Sequence, residues 1–394
     1  MSVFREEKIG DLVIRINAWN PVQEAADNYI RYVDLSSVDS TTKSITDCHQ
    51  LLGSAAPSRA RQLVAASDIL VSTVRPNLNG VAMVPAELDG ATASTGFCVL
   101  RPNLNRVYPK YLFQWIKSPA FIRDMVRKAT GASYPAVSDK IVFESKIPLP
   151  TIEKQRRIAT VLDAADMLGL KRRATIGMLD PIVQSMFVEI FGDPGVNPKR
   201  WPAVPLAEAV NEGTIVTYGI VQAGEECPGG VPYIRTGDIV DGKIVAEGLR
   251  HTTEEIASRF TRSRVTANDI VMSIRATVGT TAVVPEELDG ANLTQGTAKI
   301  SPGKQTELLY LLNYLRAPAI QSWIGRQVKG ATFREITLSR LRELPVLLPP
   351  RDLQKSFVAR ATAVERLKSA QYAALRKLES LYATLQHDAF KGEL

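Results

Sequence analysis

Two stretches of this sequence combine small polar and cationic side chains in a pattern suited to an anionic, hydrogen-bonding ligand. In the first, Ser72, Arg75, Asn77 and Asn79 follow the apolar run Asp68-Ile-Leu-Val-Ser72, and Lys128, Ser133 and Tyr134 surround a turn at Gly131. In the second, Ser273, Arg275 and Thr277 follow Asp269-Ile-Val-Met-Ser273, and Lys329, Thr332 and Arg334 surround Gly330. Phosphate contacts need Lys, Arg or small polar donors, and base edges in a groove are read by Arg, Asn, Gln, Ser or Thr. The same residues have blander uses. Asn77 and Asn79 can simply shape a turn, and Tyr134 can be a core aromatic matching Phe333. Arg59, Arg61, Arg262 and Arg264 are further candidates for bases or phosphates, whereas the basic cluster Lys171-Arg-Arg173 reads first as a solvated helix face.

Catalytic chemistry has no comparable signature. His49, His251 and His387 have no metal-ligand spacing among themselves or with other residues. There is no GxGxxG, GxxxxGK[ST] or HExxH. The nearest approach to the NPP[YFW] of amino-methyltransferases is Asn197-Pro-Lys199, which lacks the second proline and the aromatic that would stack a flipped base. Asp241-Gly-Lys243 is a loose nuclease-like pair of the kind that occurs by chance. No metal site and no cofactor is expected on this chain, nor an activity of its own.

At 394 residues the chain suggests more than one domain, and 45% apolar with 23% charged residues predicts ordinary globular folding. A net charge of +7 favours a polyanionic partner. Cys48, Cys98 and Cys227 are odd in number and far apart, which excludes a disulfide framework and a CxxC metal site and fits a reducing cytoplasm. No uninterrupted apolar run approaches a membrane span, and the first residues lack the apolar core of a signal peptide. A soluble, cytoplasmic protein is expected.

The elements that must position these residues occur twice. Asp68–Ser72 matches Asp269–Ser273 at a shift of 201, and Arg75–Ala91 matches Arg275–Ala291 at 200. Tyr111 and Leu112, Gly131 to Tyr134, Leu149 and Pro150, Gln155, Leu179 and Phe191 recur about 199 residues on, in the same order. Each copy opens with short apolar runs punctuated by Gly, Pro and Asn, the pattern of a β-rich domain. A helix follows over 109–128 or 306–327. The turns at Asp89-Gly-Ala and Asp289-Gly-Ala recur too. A proline strap then ends each domain, and a long helix begins. The first helix places Ile158, Val161, Ala165, Leu168, Leu179, Ile182 and Met186 at three- and four-residue steps, and the second places Val364, Leu367, Ala374, Leu378, Leu381 and Leu385 likewise. This is the spacing of a coiled-coil seam, with Pro181 expected to kink or break the first helix. The boundaries are 1–147 for the first β-rich domain, 148–192 for its strap and helix, 193–345 for the second domain and 346–394 for the last strap and helix. Shared framework gives way to divergent sequence between Ser36–Arg61 and Gly237–Arg262. Different specificities on one fold would need that.

The run IPLPTIEKQRRIATVLDAAD (147–166) resembles the domain-to-helix junction of specificity subunits of type I restriction–modification systems. So do the paired GASYPAV and GATFREI segments, the DGA turns and the ending LESLYATLQHDAFKGEL. The likeness covers almost the whole chain. It implies an α+β architecture of two target-recognition domains, each followed by a long helix, the helices pairing as an antiparallel coiled coil. It implies double-stranded DNA as ligand, read as a bipartite target with one half-site per domain. Two methyltransferase (M) subunits would dock, restriction (R) subunits can join them, and S-adenosylmethionine, ATP and Mg would sit on those partners alone. The second copy departs from the pattern, with PPRDLQKSFVARATAV where the first has PTIEKQRRIATVL, so docking can differ between the sides. Other readings are a type IIB-like system, a cryptic DNA-modifying enzyme, and a protein scaffold that binds no nucleic acid.

Overall fold

In the computed structural model the chain is described over residues 4–131, 133–330 and 334–394, and at Asp180 over the backbone only. It divides into two compact units, Met1–Ala174 with Tyr372–Leu394, and Thr175–Gln371.

The first unit is built on an antiparallel sheet in the order Val13–Ile14, Phe97–Pro102, Ile69–Ser72, Val81–Met83. Successive strand residues face opposite sides, and here both sides are covered. Ile69 and Val71 enter a large core with the helices, while Leu70 enters a smaller core on the other face. That smaller core lies under a second sheet, His49–Leu52, Tyr29–Val33, Thr92–Ser94, Ala60–Leu63, in which Tyr29–Val33 and Thr92–Ser94 run parallel.

The second unit repeats this order with Thr217–Tyr218, Thr297–Ile300, Ile270–Ser273 and Thr281–Val283. Ile270 and Met272 face its large core and Val271 its smaller one. Its second sheet is Arg250–Thr252, Val231–Ile234, Asn292–Leu293, again with one parallel pair. The duplication seen in sequence is therefore a duplication of topology.

The helix expected over 109–128 is two helices, Pro109–Ile116 and Pro119–Lys128, and its counterpart is Leu308–Arg316 and Pro318–Gln327. The break follows from Ser118 and Pro119. The Ser118 hydroxyl accepts a hydrogen bond from Phe121 N at 3.2 Å as an N-cap, and proline at the first helical position cannot continue a preceding ladder. Pro318 does the same in the second unit.

Each domain is tied to its strap and helix by one repeated joint. The buried Gln155 accepts from Tyr108 N at 2.8 Å and donates to Arg106 O and Pro150 O at 3.3 and 2.9 Å. Gln354 accepts from Glu307 N at 2.8 Å and donates to Gln305 O and Pro349 O at 3.0 and 2.9 Å. Beside them the Tyr111 hydroxyl donates to Pro148 O and the Tyr310 hydroxyl to Leu347 O, at 2.6 and 2.8 Å. The straps Lys146–Pro148 and Pro345–Leu347 pair with the domain-opening strands Glu6–Lys8 and Ala203–Pro205.

The long helices are Ile152–Phe191 and Arg351–Lys391. The first continues through Pro181 rather than breaking there. Their buried faces coincide with the expected seam only in part: Ile158, Ala165 and Leu179 belong to it. Ile158, Leu162, Ala165, Leu179, Val183, Phe187 and Phe191 are buried, whereas Leu168, Ile182, Leu367 and Leu381 are exposed. Each helix segment packs into a domain core as well as against other helical residues, so one heptad line does not describe what is covered. In the first unit Ile158, Ala159 and Leu162 share a core with Ala389 and Phe390. In the second, Phe187 and Phe191 cluster with Tyr310 and Phe357, ring centroids 4.8–5.6 Å apart. The first helix also holds an 18-residue window apolar enough by length and composition to cross a membrane, although polar residues such as Gln184, Ser185 and Glu189 interrupt it. Its Val183, Phe187 and Phe191 are committed to the core of the second unit.

Candidate nucleic-acid interface

The strand Ile69–Ser72 delivers the chain into a loop that doubles back at Gly80, where Ser72 N donates to Gly80 O at 2.8 Å. Inside this loop Val74 forms a bridge with Ala136. Arg75 N donates to Pro135 O at 2.7 Å. The two candidate segments, sixty residues apart in sequence, are thus one structure. Arg75 adopts a left-handed backbone with φ 51°, uncommon for a residue with a Cβ. Its guanidinium lies over the exposed Tyr134 ring, 4.8 Å from the centroid, so the alternative of a buried aromatic does not hold for Tyr134. Asn77 and Ser133 are exposed on the same loops.

Other members of the predicted set are spent on the fold. Asn79 is buried, its Nδ2 donating to Ile116 O at 3.3 Å, and it caps the short turn Pro76–Leu78 in a left-handed conformation. The Ser72 and Ser273 hydroxyls donate to Val74 O and Arg275 O at 2.9 and 2.8 Å, and Ser273 is fully buried. Lys128 reaches back along its own helix to Asp124 at 2.7 Å. Burial pushes the Asp124 carboxyl up, but hydrogen bonds from Lys128, Arg127 and Ser145 more than offset this and hold it below the usual carboxylate value.

In the second unit Arg275 bridges Glu335, Ala276 N donates to Arg334 O at 3.0 Å, and Lys329 also bridges Glu335. Ala276 carries the left-handed φ of 57° that Arg75 carries in the first. By backbone position, therefore, Arg75 corresponds to Ala276 and Val74 to Arg275, so the two arginines are not equivalent as the sequence match suggested. Likewise Lys329 corresponds to Thr130, which bridges Ala136, and not to Lys128. Residue identity had placed the one-residue gap too early, because Arg matched Arg. Arg275 pairs with Glu335 at 3.2 Å. Thr277, Lys329 and Arg334 are exposed, and Thr332 lies outside the described residues.

Glu335 was missed as a site residue, although the mismatch of Ala136 with Glu335 stands in the paired GASYPAV and GATFREI segments. Of the remaining arginines, Arg59 and Arg262 are exposed, while Arg61 donates to Ala60 O at 2.8 Å and Arg264 pairs with Glu254. Arg173 pairs with Glu379 at 2.6 Å. Asp89 and Asp289 shape turns, their carboxylates accepting from Ala66 N and Ala267 N at 2.8 and 2.9 Å. Among the described residues no group of three or more His, Cys, Asp or Glu side chains could hold a metal. Cys98 is buried, and burial followed by the neighbouring Asp139 pushes its thiol up, opposite to what a nucleophile needs.

The sequence profile of the type I restriction modification DNA specificity domain matches residues 53–175 and 216–377. The chain belongs to this family. The two matches fall on the two copies and run into the long helices. Among curated relatives, the type I restriction enzyme EcoBI specificity subunit of Escherichia coli is 25% identical over 304 residues, covering 70% of this chain and 64% of that one. The chain thus spans just under two thirds of that relative's length. The putative type I restriction enzyme MjaX specificity subunit of Methanocaldococcus jannaschii is 24% identical over 330 residues, covering 78% and 74%. Among solved structures, a chain from work on complex assembly and conformational transition of the type I R-M system is 27% identical, with 99% of this chain and 98% of that one covered and a TM-score of 0.62. The type I restriction-modification S subunit of M. genitalium shares the fold at 12% identity and a TM-score of 0.55, with 99% and 96% covered.

Proposed function

We propose that this specificity-domain chain reads a bipartite sequence in double-stranded DNA, one half-site per recognition domain, and brings methyltransferase and restriction subunits to it. The observation that carries the reading is the loop pair after strands Ile69–Ser72 and Ile270–Ser273. It recurs on one framework in both copies yet presents different side chains, Arg75, Asn77, Ser133 and Tyr134 against Arg275, Thr277, Lys329 and Arg334. Exposed Arg, Asn, Thr and an aromatic are the groups that read base edges and hold phosphates. The net charge of +7 suits the same ligand.

The long helices set the unread gap between half-sites in this reading. Each unit takes opposite halves of the two helices, residues 152–174 with 372–391 and 175–191 with 351–371, as antiparallel pairing requires. S-adenosylmethionine, ATP and Mg belong to the partners, and this chain positions rather than catalyses. The three cysteines, free of disulfides, suit the cytoplasm.

Genome-wide mapping of methylated adenines in a host carrying the complete system tests the proposal. Two fixed half-sites separated by unread bases are expected, and equal insertions in both long helices lengthen the gap alone. Altered half-sites after insertion, or a methylation pattern indifferent to loss of this chain, would refute it.

A further inference from the structure

The two loop pairs differ in one acidic residue. The second carries three cations, Arg275, Lys329 and Arg334, on the segments that meet at Glu335, which bridges both Arg275 and Lys329 through its backbone and pairs with the Arg275 guanidinium. The first holds Ala136 at the corresponding bridge position, and among the described residues Arg75 has no carboxylate opposite it, while its Lys128 is occupied by Asp124. A carboxylate in the more basic of two DNA-facing loops is not explained by stability. The Arg275–Glu335 contact is single, 3.2 Å long, with both side chains about 40% exposed. Strong guanidinium–carboxylate pairs are shorter and often bidentate, and exposed pairs add little to folding.

We propose that Glu335 is a specificity-determining residue of the second domain: it holds Arg275 back from phosphates in general and yields it to a ligand that takes the guanidinium in its place. An unpaired arginine binds any phosphate, and each phosphate neutralised adds to sequence-independent affinity. An arginine already paired loses its carboxylate on binding, so a contact that does not replace that partner gains little. Discrimination comes from disfavouring the wrong ligand as much as from favouring the right one. Among the described residues the first domain has no such restraint, and it contributes more of the general grip through Arg75. This inference rests on the reading that these loops meet DNA.

The test uses the full chain with its methyltransferase partners and duplex DNA of mixed sequence lacking the target, titrated across salt concentrations. Glu335→Gln is expected to bind this DNA several-fold more tightly at low salt, with a salt dependence steeper by about one counterion. The ratio of target to mixed-sequence affinity falls accordingly. In the double variant Arg275→Gln/Glu335→Gln the gain disappears, since the released cation is gone. Thermal unfolding of Glu335→Gln alongside the parent separates these effects from misfolding. Unchanged or weaker binding of mixed-sequence DNA by a normally folded Glu335→Gln overturns the inference, as does a gain that persists without Arg275. If the unaltered complex binds no duplex at low salt, the functional reading fails and this inference fails with it.

Discussion

The guanidinium of Arg75 stacks over the ring of Tyr134 at 4.8 Å, joining loops that lie far apart in the chain. Because both side chains are exposed, the pair is free to act on a ligand. Removing the guanidinium by Arg75→Ala is expected to weaken DNA binding by about 1–3 kcal/mol, the range for a base-reading or phosphate-holding arginine. Tyr134→Ala takes away only the surface that orients it, and about 0.5–1 kcal/mol is expected, the range for an exposed cation–π contact. The two effects are expected to be non-additive, since each change removes the same contact. Titration of the two single variants and the double variant checks this, with thermal unfolding unaltered in all three.

Gln155 and Gln354 make the same three hydrogen bonds from buried positions. Leucine is close in size but satisfies none of the backbone groups left behind, and an unpaired buried donor or acceptor costs about 1–3 kcal/mol. Gln354→Leu is expected to destabilise the second unit by at least that amount while leaving the first unit's transition in place. Gln155→Leu should show the reverse, and denaturant unfolding followed by tryptophan fluorescence resolves the two.

Lys43 gives a pH dependence of definite sign. Its ammonium donates to Asn79 O at 2.6 Å. Burial, and then the charge of Lys117, lower its pKa from 10.5 to about 8, against the opposing pull of Asp39 and Asp166. Across that interval the unfolded chain holds the proton more tightly than the folded one, so stability contributed by this group rises as pH increases from about 8 to 10. In Lys43→Met that contribution is absent. The difference in melting temperature, parent minus variant, should increase over this range in paired thermal scans, and a flat difference would contradict it.

The sequence showed the repeated framework clearly because its fixed points are residues with one structural job. Tyr111 with Tyr310, Gln155 with Gln354 and Asp89 with Asp289 were aligned by type alone and make equivalent hydrogen bonds. The loops were less legible. Matching Arg75 to Arg275 was chemically natural, but backbone conformation decides the correspondence, and the left-handed residues are Arg75 and Ala276. Side-chain fate was hidden as well: nothing in the spacing says that the Ser273 hydroxyl turns inward to Arg275 O. The helical seam is only partly legible: Ile158, Ala165 and Leu179 are buried as the spacing expects, but a heptad count sees one partner, whereas Leu162, Val183 and Phe187 are buried in cores that include domain residues.

Phe390 packs against Tyr111 and Trp115 at 5.5 and 4.9 Å, so the core of the first unit is completed by residues that follow the whole second unit in the chain. During synthesis the nascent first domain must wait, with that apolar face uncovered, until the second unit has been translated. Transiently exposed apolar surface promotes aggregation. A chain cut short before Phe390 would therefore carry an unfinished first domain, dependent on a chaperone or on the matching helix of another chain.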